Sequence, residues 1–152
     1  MSGVINPQFG PQYPHFDLAA AERRRYDSTL VIQTDAYGGH GLFARKDIDV
    51  DGITLSYYGT YYPARSYYLR DYPNDDAEFG MQYPDSQGEL QYYDGSTVHG
   101  YMRYVNHASD NPNAEFYHTE DSPYVLLRLT RPIHANEEIT ANYSCSTAVV
   151  VR

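Results

Sequence analysis

What most restricts this chain is the shortness of its β-prone runs, each bounded by turn-forming residues. Ser28–Thr34 (STLVIQT), Ile53–Tyr58 (ITLSYY), Glu89–Asp94 (ELQYYD), Tyr124–Leu129 (YVLLRL) and Glu138–Tyr143 (EITANY) are rich in β-branched and aromatic residues and read as strands. Leu42–Ala44 and Tyr101–Val105 read as shorter extended pieces, and the tail Thr147–Val151 is apolar and β-prone. Helical character is confined to Asp17–Arg25, with Asp17 as its expected cap, and to Ala64–Asp71, which Pro73-Asn74-Asp75-Asp76 breaks. There is no repeat and no strand–helix–strand rhythm. The expectation is a mostly β fold of short strands with a small inserted helix and loop region near residues 60–90.

At 152 residues the chain has the size of one ordinary domain. Its division is expected to be an N-terminal extension over 1–27, a domain over 28–145 and a short tail over 146–152. The 20 acidic residues against 11 basic ones give a net charge of −9, which repels nucleic acid and favours a basic partner. A single cysteine, Cys145, excludes an internal disulfide and a cysteine-cluster zinc site. The six histidines show neither His-x-His nor His-x-x-x-His spacing, so no metal site is expected. No stretch has the length of a membrane span, and the first residues lack the pattern of a secretory signal. An intracellular setting follows as the default expectation.

Three separated segments carry the chemistry. Tyr37-Gly38-Gly39-His40-Gly41-Leu42-Phe43-Ala44 is a glycine-rich turn between strands, which lets backbone approach a ligand closely. Arg103-Tyr104-Val105-Asn106-His107, continuing to Pro112-Asn113-Ala114-Glu115-Phe116, sets an amide side chain beside an imidazole. Ala135-Asn136-Glu137-Glu138-Ile139-Thr140-Ala141-Asn142-Tyr143 combines a left-handed turn position at Asn136 with a strand ending in a tyrosine. Each alone reads as a hairpin or a turn.

Together and in this order, the segments resemble the SET-domain protein lysine methyltransferases. The counterparts are Gly39-His40-Gly41, Asn106-His107…Pro112-Asn113 and Glu137-Glu138-Ile139-Thr140…Tyr143. Ser56-Tyr57-Tyr58-Gly59 looks like that family's Tyr-x-Gly strand end, and Asp94…Arg103-Tyr104-Val105 is similar to the approach to its Asn-His pair. The resemblance spans roughly residues 28–145 and is greatest to small stand-alone members such as the viral SET proteins. It implies a SET-domain, β-clip-like fold with a pseudoknot-like C-terminal segment.

The resemblance also implies a chemistry. S-adenosylmethionine would be the methyl donor, S-adenosylhomocysteine the product, and a lysine of a basic protein, a histone tail among them, the acceptor. Gly39, His40, Gly41 and Leu42 would hold the donor's amino-acid end through backbone groups, and Asn106 and His107 its adenine, with Arg103 and Tyr104 beside them. Tyr143 and Tyr57 would be catalytic, and Tyr57, Phe116 and Tyr143 would line the lysine channel. Inserted residues 60–90, together with the strand near Glu89–Tyr93, would receive the peptide by added-strand pairing. No direct nucleic-acid or membrane partner is implied, and the setting would be nuclear or chromatin-associated in a eukaryotic or viral source and cytoplasmic otherwise. Without a cysteine-rich zinc module, Ser144–Arg152 or a second subunit of a homodimer would close the channel. A non-catalytic SET-like module that binds a peptide or protein is the alternative reading.

Overall fold

The computed structural model describes residues 13–62, 64–76, 80–84, 90–95, 100–119, 124–142 and 150–151. Helix α1 (Tyr13–Arg25) leads into the hairpin of β1 (Leu30–Thr34) and β2 (His40–Ala44). β3 (Thr54–Ser56), β4 (Thr60–Tyr62) and helix α2 (Arg65–Asp71) follow, then β5 (Gly80–Pro84) and β6 (Leu90–Asp94). A 3₁₀ turn at Met102–Tyr104 precedes β7 (Asn106–His107), β8 (Ala114–Thr119), β9 (Leu126–Leu129), β10 (Thr140–Ala141) and β11 (Val150–Val151).

Among the described residues, two α-helices beside eleven short strands match the mostly β expectation. α1 starts earlier than the sequence suggests, at Tyr13, so Asp17 lies inside the helix and does not cap it. Pro14 is tolerated there because amides of a first turn have no intrahelical partner to lose. Ala64, not a polar residue, occupies the cap position of α2. Of Tyr101–Val105, only Val105 is extended. Tyr104 N–H bonds to Tyr101 O at 3.0 Å and Val105 N–H to Met102 O at 3.1 Å, which coils the segment and buries Tyr101 and Met102.

The strands form three sheets among the described residues: β1-β2, β4-β6-β5, and a larger one ordered β3-β9-β8-β10-β7, with β11 also pairing β8. Most pairings are antiparallel. The exceptions are the C-terminal ones: β10 runs parallel to both β7 and β8, and β11 runs parallel to β8. The chain therefore returns near its end to fill a slot between two strands laid down earlier, the pseudoknot-like arrangement. One main core, with Leu42, Leu55, Val105, Leu127, Ile133 and Ile139 fully or almost fully buried, lies beneath these sheets. Each such side chain contributes about 1.5–3 kcal/mol by leaving water. Tyr62, Tyr68 and Tyr92 build a smaller satellite core where α2 covers the β4-β6-β5 sheet.

Candidate functional site

The β1–β2 turn is organised by Asp35, whose Oδ1 accepts from the Tyr37 and Gly39 amides, both at 2.9 Å. Its other oxygen, Oδ2, accepts from Asn106 Nδ2 at 3.0 Å. The same Nδ2 reaches His40 O at 3.0 Å and Glu138 Oε2 at 2.8 Å. One side-chain amide thus joins the glycine-rich turn, the Asn-His strand and the Glu-Glu strand. Gly41 sits at their junction. A Cβ there would lie 2.5 Å from Glu138 Oε2 and 3.1 Å from Asn106 Nδ2, so a larger residue would push the Glu138 carboxylate away from Asn106.

The sequence-chosen residues occupy distinct places around this junction. His40 is exposed, with its ring 6.4 Å from that of Tyr104 in an edge-to-face arrangement. Arg103 donates to Gly95 O at 3.0 Å and to the Tyr104 hydroxyl at 2.6 Å. His107 is exposed on β7, beside Ala141 of β10. Leu42 is a buried core residue whose carbonyl accepts from Ile139 N–H at 2.8 Å.

Behind the junction, Asn113 locks the returning segment. It is 2% exposed, accepts from Thr140 N–H at 2.9 Å and donates to Glu138 O at 2.7 Å. Asn136 takes the left-handed conformation expected of it, with φ 70°. Burial acts to raise the Glu137 carboxyl, but bonds from His134 N–H, Arg131 and Asn113 outweigh it and hold the group below its usual value.

A second cluster is aromatic. Tyr57, 6% exposed, packs edge-on against Tyr93 with centroids 6.2 Å apart. Tyr83 donates its hydroxyl to Phe116 O at 2.9 Å, and the two rings stand 6.1 Å apart. Gly59 lets the chain after Tyr57 press against the backbone of Asp94, where any Cβ would collide with that carbonyl. From the far side, Glu22 of α1 supports β3: Ser56 N–H donates to its Oε2 at 3.0 Å, while Oε1 makes no hydrogen bond among the described residues. Burial pushes the Glu22 carboxyl up to about 7, against the opposing pull of the Ser56 and Tyr101 amides and of Arg23 and Arg25.

Tyr143 lies outside the described residues. The structure also narrows one expectation: β6 is the central strand of its sheet, bonded to β4 on one side and β5 on the other, so Leu90–Tyr93 has no open edge for an added strand, whereas β4 and β5, within the expected 60–90 region, lie at the edges. Asp35, Glu138, Tyr83 and Tyr93 join the two clusters without having been singled out as site residues. Glu138 stood inside a recognised segment, and Asp35 stood where an aspartate organises a turn; nothing local distinguished the two tyrosines among 18.

The SET domain family matches this chain over residues 39–144, which takes in both clusters apart from Asp35 and the supporting Glu22. The chain belongs to the SET domain family. Two solved SET-domain structures share its fold. CpSET8 from Cryptosporidium aligns with a TM-score of 0.63 at 20% identity, over 79% of this chain and 59% of that one. The methyltransferase domain of the human histone-lysine N-methyltransferase SETMAR aligns with a TM-score of 0.64 at 19% identity, over 80% of this chain and 47% of that one. This SET domain thus spans less than two thirds of either chain's length. No curated protein sequence matches it significantly. No described helix is long and apolar enough to cross a membrane.

Proposed function

We propose that this SET domain transfers a methyl group from S-adenosylmethionine to a lysine side chain of a basic protein, a histone tail being a suitable acceptor. The observation that carries the reading is a surplus of acceptors at Asn106. Three oxygens, from Asp35, His40 and Glu138, converge on a group with only two hydrogens. A further donor is therefore accommodated there, and an ammonium carried by a cationic ligand has the right chemistry. Asp35, Glu138 and the His40 carbonyl would receive the ammonium of the donor's amino-acid end, and the Arg103 guanidinium is the nearby cation for its carboxylate. Backbone groups at Gly39 and Gly41 would line the same end, and Asn106 and His107 with Tyr104 would flank the adenine.

When bound, the methyl donor supplies an electrophilic methyl carbon on a sulfonium. The chain's own contribution is alignment, exclusion of water and control of one proton. Tyr57 and Phe116 would form an apolar channel that disfavours a charged lysine and so lowers its pKa. Tyr57 would orient the neutral amine along the line of displacement. Tyr143 would direct its hydroxyl to the developing charge. The substrate peptide would pair with β4 or β5, the edge strands of the sheet beside the channel. The pairing of β11 with β8, the strand that carries Phe116, favours the chain's own tail over a second subunit as the channel's last wall.

The test is mass spectrometry of core histones and basic peptides after incubation with labelled donor, alongside calorimetric titration of the donor. Added methyl mass on lysine is expected, with Tyr143→Phe lowering turnover at least ~100-fold while leaving donor affinity nearly unchanged. No heat of binding at millimolar donor would refute the enzymatic reading and leave a peptide-binding module.

A further inference from the structure

The protein carries a net charge of −9, yet three of its 11 cationic residues, Arg23, Arg24 and Arg45, come together from two separate parts of the chain. They meet at a groove of about 310 Å³ between the end of α1 and strand β1. Leu30, Val31 and Ile32 form its floor, Tyr101 closes one end, and Arg23, Arg24 and Arg45 stand on its rim beside Asp27. Arg23 lies over the Tyr101 ring at 4.8 Å, and Arg45 Nε donates to Leu30 O at 2.8 Å, so both guanidiniums are held in place. Among the described residues no carboxylate forms an ion pair with Arg24 or Arg45, whereas Arg65, Arg128 and Arg131 each have one.

The strand beside this rim has an open edge. β1 pairs only with β2 among the described residues. The bonds Arg45 N–H to Thr29 O and Asp35 N–H to Gly39 O fix the alternation of that ladder. By the antiparallel rule, Val31 and Gln33 then bond to β2, and the N–H and C=O groups of Ile32 and Thr34 turn outward. An unpaired edge next to an apolar floor is a template for an extended peptide, and the arginine rim selects its charge.

The geometry points to a docking site on β1 for an acidic, extended peptide segment of a partner protein. The peptide adds a strand through Ile32 and Thr34 and sets its carboxylates against Arg24 and Arg45. This site is separate from the proposed methyl-transfer site, does not depend on it, and takes the opposite charge from the basic substrate. The segment preceding α1, residues 1–12, contains no acidic residue and does not supply that charge.

The test uses the full chain, isotope-labelled for amide spectra, titrated with the peptide Glu-Val-Glu-Val-Glu and its Lys-for-Glu counterpart. Binding of the acidic peptide alone is expected, with shifts centred on Leu30–Thr34 and Tyr101 and weakening as salt rises. Arg24→Glu with Arg45→Glu should lower affinity roughly tenfold, each exposed pair contributing about two- to fivefold. A peptide N-methylated along its backbone should lose binding without any change to the protein. Shifts elsewhere, or equal response to the lysine peptide, would overturn the proposal. So would binding that emerges only after removal of residues 1–12, or self-association of the free chain through β1, each of which assigns the edge to a different occupant.

Discussion

Glu22→Gln is expected to abolish a pH dependence of stability that a buried carboxyl builds into this fold. Glu22 is 8% exposed, and its carboxyl is pushed up from 4.5 to about 7. Between those values the folded chain keeps a proton that the unfolded chain has released. The native state therefore binds more protons there, and stability falls as pH rises through the interval. At about 1.4 kcal/mol per pH unit, the full gap is worth about 3 kcal/mol. Most of it is lost between pH 5 and pH 8, since titration is complete at neither end. Below about 4.5 and above about 7 this group adds no slope. Glutamine keeps a carbonyl for the Ser56 N–H and cannot ionise, so the variant lacks the effect. Urea denaturation of both proteins at intervals from pH 5 to pH 8 reads the difference directly, because the other titrating groups cancel. The wild type should lose about 2–3 kcal/mol relative to Glu22→Gln over that range. A difference that stays constant with pH would refute the reasoning and place the Glu22 carboxyl near its ordinary value.

Three other perturbations address the junction around Asn106. Asn106→Ala leaves Glu138 and Asp35 facing each other without their shared donor; methyl-donor affinity, by calorimetry, should fall about 30- to 100-fold, matching the roughly 2–3 kcal/mol of a charged-group hydrogen bond. Gly41→Ala drives a Cβ into Glu138 Oε2, so thermal unfolding should show a loss of about 1–3 kcal/mol, part of which Glu138→Ala in the same chain restores. Asn113→Ala removes the bonds to Thr140 N–H and Glu138 O; a loss of about 1–3 kcal/mol for each buried group left unpaired should appear in urea denaturation, with amide exchange quickened first at Thr140 and Ala141.

Much of this architecture could be read from residue order because its signals are local. Ile53–Tyr58 and Tyr124–Leu129 contain β3 and β9, and the Asn136 turn needed only a residue that tolerates positive φ. β8 carries no local strand signal, because AEFYHT buries Ala114, Tyr117 and His118 in a pattern that does not alternate, with sheet neighbours on both sides. β4 and β5 were hidden in a tyrosine-rich stretch whose polarity suits strand and loop alike. The segments holding Gly41, Asn106 and Glu138 were visible, but the bonds between them were not. The Asn106–Asp35 and Asn106–Glu138 contacts join residues 71 and 32 positions apart, which no local spacing encodes. The open edge of β1 was equally hidden, since strand order is a property of the assembled sheet.

The place of β10 between β7 and β8 also sets when the site can exist. A chain growing from its N-terminus can form the β1–β2 hairpin early, because its partners are close in sequence. Asn106 and Asn113 must wait, since Glu138 and Thr140 are made some 25 or more residues later. Until then β7 and β8 hold an unfilled slot lined by backbone amides, a surface prone to capture strands from other chains. Products truncated ahead of Thr140 should therefore clump during synthesis, and closure of the junction around Asn106 should be a slow, late event of folding.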